Sequence, residues 1–321
     1  MAKSWLWLSL RGRRWVAAGG GLLAVAGLDL ANPVAAQTAP RIIPSAASVV
    51  PAGAPAPLEA KATAPGTAPA AASGGWQWLQ TLALPNPGPA SLDRRGTLYV
   101  ADADNNLRQF AADGRPLNTY APAQPGHLAQ LEAYNLTNTL VFYDDRQQVV
   151  LLDRFLAPIA EIRLADYLDG TVRAATLAPD NTLWLFDESA LVLRQLDPQT
   201  GRLLLNTPLD LIIGRTRPDF RFLRAYQNHL YLVDRCTGIY VFDNLGNYQK
   251  KLPFAGLSWV GFAGDELYYV LDGTLHFFHL YQLAERVQAL PAGAGEVRQV
   301  LLGEGFGYCL GPLGVAVYRR P

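Results

Sequence analysis

Side chains able to break bonds or hold metals are sparse in this 321-residue chain, which has four histidines and two cysteines. A metal ion needs His, Cys, Asp or Glu to converge on it. His276 and His279 stand three apart in an apolar run that reads as a strand, so they point to opposite faces and cannot chelate one ion side by side. His229 opens another apolar run and His127 lies in a connecting stretch, so both read as surface or turn residues. No Gly-x-Ser-x-Gly elbow occurs, and neither Cys236 nor Cys309 stands beside a histidine that could activate it. No catalytic residue, metal site or cofactor is therefore expected. Recognition chemistry is better supplied. Glu132, Arg221, Trp259, Arg298 and Gln299 combine guanidinium forks for anions with an aromatic face, a carboxylate and an amide. Far apart in sequence, they make a site only if the architecture gathers them.

A repeat supplies that architecture. The block Gly96-Thr97-Leu98-Tyr99-Val100-Ala101-Asp102 returns as Thr139-Leu140-Val141-Phe142-Tyr143-Asp144, Thr182-Leu183-Trp184-Leu185-Phe186-Asp187 and His229-Leu230-Tyr231-Leu232-Val233-Asp234. Weaker copies lie at Glu266 to Asp272 and Gly305 to Gly311. The spacing, about 37 to 47 residues, is that of one four-stranded propeller blade. Each copy is followed by a turn, a second apolar run such as Leu107 to Phe110, a polar turn such as Asp113-Gly114, and a third run. With the short run before each block, every unit reads as strands a, b, c and d of an antiparallel sheet. The fold class expected is all-β, a six-bladed β-propeller.

Blade six runs out after its third strand, near Tyr318, whereas a spare strand-like segment, Trp76 to Pro85, precedes blade one. The economical solution is that the N-terminal segment completes the last blade and closes the ring, leaving no open edge. The recurring Asp at each b to c turn reads as a backbone cap, since spacing around the ring keeps those carboxylates from meeting on one ion. Cys236 falls in the b to c turn of blade four and Cys309 inside strand b of blade six. Non-adjacent blades hold them beyond disulfide reach, so two free thiols are expected, Cys309 buried.

In such a ring the innermost strands line a central channel. Counting one fixed offset back from each block sets Leu131, Arg221, Ser258 and Arg298 at one level, and Glu132, Phe222, Trp259 and Gln299 at the next. A mouth so composed could hold an anionic or sugar-like ligand, or an acidic peptide.

The 27 basic and 27 acidic residues cancel, so nothing draws the chain to a phosphate backbone, and nucleic acid is not an expected partner. Arg11, Arg13 and Arg14 precede an apolar, glycine-rich run, and Val34-Ala35-Ala36 offers small residues before Gln37, the pattern of a signal peptide over 1–36. That run, about 14 residues, falls short of the roughly 20 a spanning helix needs, so no transmembrane span is expected in the mature chain. Residues 37–75 are rich in Pro and Ala with little to bury and read as a disordered linker, followed by the propeller over 76–321.

Residues Gly96 to Phe110, continuing to Gly114, closely resemble an NHL-type propeller repeat. As a whole, and most clearly from Leu230-Tyr231-Leu232-Val233-Asp234 through Thr237 to Asp243 and on to Lys251-Leu252-Pro253-Phe254, residues 76–321 resemble a family of exported propellers from bacteria that possess type IX secretion. NHL-type propellers mostly bind proteins, peptides or RNA, so the resemblance implies a binding module and carries no catalytic residue over. The expected protein is exported, periplasmic or outer-membrane-associated. It is a monomeric propeller that docks an envelope protein or peptide, as an accessory subunit of an outer-membrane export or assembly machine. The alternative is an enzyme of lactone-hydrolase or quinone-dependent dehydrogenase type acting at the channel. Its metal-dependent forms need convergent ligands, for which inner strand ends offer only Asp93, Glu132 and Asn135.

Overall fold

The computed structural model describes residues 75–134, 138–214 and 217–321. The expected signal peptide, the Pro/Ala-rich segment up to residue 74 and Asn135 lie outside the described residues.

The apolar runs of the repeat become strands because their neighbours leave them no water. In blade one, strands a (Ala90–Leu92), b (Leu98–Ala101), c (Leu107–Phe110) and d (Pro116–Tyr120) pair in that order. Strand b is buried along its whole length, as are the b strands Thr139–Tyr143 and Leu183–Asp187 of blades two and three. Both faces of such a strand are covered by adjacent blades, which is why it reads as a continuous apolar run instead of alternating. The outer d strands face solvent on one side and admit polar residues, as in Tyr248–Leu252, which carries Gln249, Lys250 and Lys251. Six such four-stranded antiparallel sheets form the ring. Among the described residues, helix is confined to single turns at Leu164–Asp166 and Asp210–Ile213.

Blade six is closed as expected. Its strands are Gln299–Leu302, Phe306–Gly311 and Gly314–Arg319, and the fourth is the N-terminal Gln77–Leu82, running antiparallel to Gly314–Arg319 from the pair Gln77 and Arg319 to the pair Leu82 and Val315. The structure also accounts for the weakness of the sixth repeat copy. Where blades one to five carry Leu98, Leu140, Leu183, Leu230 and Leu267, blade six has Gly307. A Cβ at Gly307 would overlap the Trp76 ring, so the tryptophan of the closing segment fills the volume that leucine fills elsewhere. Trp76 packs edge-on to Tyr318 at 5.9 Å, with the Arg320 guanidinium 5.6 Å from its ring centre.

The b to c aspartates cap their turns. Asp102 accepts the Asp104 and Asn106 N–H groups and Arg108 Nε, and Asp234 accepts the Cys236 and Asp219 N–H groups. Asp187 is fully buried and accepts Ser189 Oγ at 2.7 Å, the Ala190 N–H at 3.1 Å and Arg194 Nε at 3.0 Å. Burial pushes its carboxyl up, but the bonds from Ser189, Arg194 and Ala190 outweigh that and hold it below the usual range. Its contribution is thus complete above the ordinary carboxylate pKa and is lost as pH falls through the lowered folded value. Asp187→Ala is expected to cost about 2 kcal/mol at pH 7. The deficit should shrink in acid, as urea melts of both proteins at pH 7 and pH 3 will show.

Both cysteines are free, Cys236 exposed and Cys309 buried, and burial pushes the Cys309 thiol up to about 12.

Candidate functional site

The inner strands are Ala90–Leu92, Leu128–Glu132, Val172–Leu177, Phe220–Tyr226, Gly261–Ala263 and Gln299–Leu302. Polar side chains stitch them across blade boundaries. Gln130 Nε2 donates to the Leu223 carbonyl at 2.6 Å, the Ala133 N–H donates to Ser91 Oγ at 3.0 Å, and Gln299 Nε2 donates to the Ala90 carbonyl at 3.2 Å.

Pairing corrects the levels inferred by counting. In blade four Ala225 pairs with Leu230 across a two-residue turn at Gln227 and Asn228, both with positive φ, the geometry of a tight type I′ hairpin. In blade two Glu132 pairs with Leu140, so the a to b connection there is three residues longer. Glu132 therefore shares its level with Ala225, Phe262 and Leu302, not with Phe222, Trp259 and Gln299. Leu131 stands level with Arg224, not Arg221. Arg221 and Arg298 lie at the other end of the channel, by the b to c turns. Each is exposed and paired with its own neighbour, Arg221 with Asp219 at 2.6 Å and Arg298 with Glu296 at 3.5 Å. The structure does not bring these two to the mouth that holds Glu132.

Two cavities open where the a to b turns gather. One, about 540 Å³, is lined by Glu132, Leu177, Trp184 and Gln195; the other, about 240 Å³, by Ser91, Arg224, Trp259 and Tyr268. Arg94, Tyr134 and Tyr226 line both. The larger is of a size that takes a small ligand or a few side chains. Of the expected site residues, Glu132 and Trp259 are thus in the paired cavities, and Gln299 serves the inner belt.

The chemistry sits at the shared wall. Glu132 is 2% exposed and accepts Thr176 Oγ1 at 2.6 Å; Thr176 in turn accepts the Ala225 N–H at 3.1 Å. Arg224 Nη1 stands 3.6 Å from Glu132 Oε2, an ion pair without a hydrogen bond. Burial pushes the Glu132 carboxyl above its ordinary value, and Arg224, Thr176 and the Leu177 N–H offset this only in part. Tyr134 carries two guanidinium groups, Arg94 at 4.7 Å and Arg224 at 5.2 Å from its ring centre. Tyr226 stacks on Phe262 at 4.4 Å and donates to the Gly264 carbonyl at 2.7 Å, fixing the remaining wall. Counting missed Arg94, Tyr134, Thr176, Arg224 and Tyr226. One signal was available: Phe220-Arg221-Phe222-Leu223-Arg224-Ala225-Tyr226 sets two arginines three apart on a strand, so they cannot share a face and one must turn inward.

Asp93, considered as a ligand, caps its own turn by accepting the Arg95 and Thr97 N–H groups at 2.8 Å. Among the described residues no group of three or more His, Cys, Asp or Glu is gathered as a metal site would require.

No protein-family model matches the chain, and no curated protein sequence matches it. Solved structures do. A streptogramin B lyase is similar at 11% identity and a TM-score of 0.54, over 76% of this chain and 97% of that one. A catalytically inactive virginiamycin B lyase from Staphylococcus aureus, solved with quinupristin, is similar at 10% identity and a TM-score of 0.52, over 77% of this chain and 99% of that one. The Pan2 WD40 domain of Neurospora crassa is similar at 14% identity and a TM-score of 0.50, over 78% and 87%. Enzymes and a WD40 domain alike share the scaffold, so likeness at this identity establishes the propeller fold and leaves function to the site.

Proposed function

We propose that this chain is an exported, non-enzymatic binding propeller that docks an envelope protein or peptide on the face formed by its a to b and c to d turns. It serves there as an accessory subunit of an outer-membrane export or assembly machine. One observation carries the choice of face: its c to d turns expose four large apolar side chains, Phe155, Leu245, Tyr281 and Leu283, each about 60% exposed, around a polar mouth. Apolar side chains clustered about a pocket with fixed polar groups mark an interaction surface. The opposite face offers two such side chains, Leu211 and Leu313. Export rests on the arginines and apolar run of residues 11–28; no helix among the described residues is long and apolar enough to cross a membrane.

The runner-up is an enzyme of lactone-hydrolase or quinone-dependent dehydrogenase type. Glu132, lining the larger cavity with a raised pKa, is the observation on its side, since a general acid takes such a place. That carboxyl is already bonded to Thr176 and faces Arg224, a pairing that suits recognition better than proton transfer, and binding is the better reading.

Photo-crosslinking in cells that make the protein separates the faces. With p-benzoylphenylalanine at position 245, adducts to an envelope protein are expected; at position 313 they are not. Adducts from position 313 alone, or from neither, would count against docking on this face.

A further inference from the structure

Arg224 is nine-tenths buried, yet its side chain makes no hydrogen bond to a described residue, and its buried Nε has no acceptor. Buried guanidinium donors are normally satisfied, because an unmade bond costs the full desolvation of the group. This molecule shows what satisfaction looks like: Arg286 sends Nε to Glu266 Oε1 at 2.7 Å and Nη2 to Oε2 at 2.6 Å, a two-pronged carboxylate contact. Arg194 likewise turns its Nε and Nη2 edge to Asp187, at 3.0 and 2.9 Å. Arg224 presents only Nη1 to Glu132, and at 3.6 Å. Its buried Nε is left without an acceptor, unlike those of its two counterparts, and Arg224 lines the smaller cavity.

Glu132 does not fill that role: its Oε2 accepts Thr176 Oγ1 at 2.6 Å and stands 3.6 Å from Arg224 Nη1, too far for a hydrogen bond. Arg94 adds a second cation. It is exposed, lines both cavities, lies over the Tyr134 ring, and has no carboxylate partner among the described residues. Of the acidic residues on the same rim, Asp93 is committed to its own turn and Glu304 stands in a turn of blade six. A planar fork in a desolvated wall, with a second guanidinium over the same tyrosine ring, matches a carboxylate in geometry and charge.

We infer that the channel mouth is a carboxylate receptor: a carboxylate of the docked peptide pairs with the under-satisfied Arg224 guanidinium in the smaller cavity, and Arg94, over the same Tyr134 ring, adds the second cation. The acceptor group is the same whether it comes from an Asp or Glu residue within the peptide or from the peptide's own C-terminus. This rests on the docking reading and names the chemistry by which that face recognises its partner.

The test uses the full-length protein and three small probes, followed by the Arg224 Nε–H signal in ¹⁵N NMR. N-acetylglutamic acid α-amide offers only the γ-carboxylate of a residue, N-acetylphenylalanine only a terminal one, and N-acetylglutamine amide neither. A saturable shift with at least one carboxylate probe and none with the neutral amide is expected, and the probe that works identifies the source. Arg94→Gln, which leaves the buried pair intact, should weaken binding roughly tenfold. The double variant E132Q/R224Q, which removes both buried charges together and so spares the fold, should abolish it. No saturable shift with either carboxylate, an equal shift with the neutral amide, or unchanged affinity of the double variant, read from neighbouring backbone signals, would overturn the receptor. If carboxylates fail while crosslinks from position 245 persist, docking stands and the receptor falls. If carboxylates bind and crosslinks are absent, the reverse holds.

Discussion

A protein lacking residues 76–85 is expected to aggregate, or to lose its single cooperative unfolding transition. The deletion removes the whole outer strand of blade six and exposes the backbone of Gly314–Arg319 as an open edge, the template on which chains pair with one another. It also removes the buried side chains Leu82 and Leu84, each worth about 2 kcal/mol of burial, and empties the place of Trp76 over Gly307. A whole domain has only about 5 to 15 kcal/mol in hand, so the loss is comparable with its total stability. The closing contact also joins segments at opposite ends of the described residues, and such non-local pairing rewards folding only late. Size-exclusion chromatography and thermal melts of the truncated protein decide the matter. A monomer with an unchanged melting temperature would sink the closure as a source of stability. A finer check is Trp76→Ala, expected to cost about 3 kcal/mol, with Gly307→Leu added to the same variant restoring part of it.

The second large effect is at Arg224. Arg224→Met should destabilise the propeller by about 3 to 5 kcal/mol near neutral pH, because it leaves Glu132 buried without its counter-charge. The pH dependence has a definite sign. Burial already sets the Glu132 carboxyl above its ordinary 4.5, and without the guanidinium it rises further. Between the ordinary and the raised value the unfolded protein has released the proton and the folded one has not. Stability from this group is therefore full in acid, falls as pH rises through that window, and is level beyond it. This is opposite to Asp187, whose stabilisation is lost in acid. Urea melts of Arg224→Met at pH 4 and pH 8 should differ more than those of the parent protein, and E132Q/R224M should recover most of the loss. A single variant with the same deficit at both pH values would show that packing, not charge, is what Arg224 supplies.

The blades were legible in the sequence because strands b are largely covered on both faces, and a doubly covered strand has to be apolar along its length. Leu183 to Asp187 announces itself for that reason. Closure was legible by elimination, since blade six lacks a strand and Trp76 to Pro85 supplies one. The replacement of leucine by Gly307 looked like decay of the repeat; only the position of Trp76 over it shows a compensated exchange. The site was harder to read. Strands a are short and differ in length, and their level depends on turn lengths that leave no periodic trace, so three extra residues after Glu132 displaced the count. Arg224 is informative for what it lacks, an acceptor, and a missing partner has no signature in a linear sequence.

The longer connection of blade two has a further consequence. A ring of equal blades offers its axis the same surroundings after every one-sixth turn, and a ligand there would have six equivalent poses. Here the extension sets Tyr134 at the mouth from one blade only, and Arg224 answers it from another. The pore consequently has a bearing as well as an axis. If a partner docks there as proposed, it has one azimuth, which suits a single asymmetric polypeptide better than a rotationally symmetric assembly coaxial with the ring. The stoichiometry expected of that proposed complex is one to one.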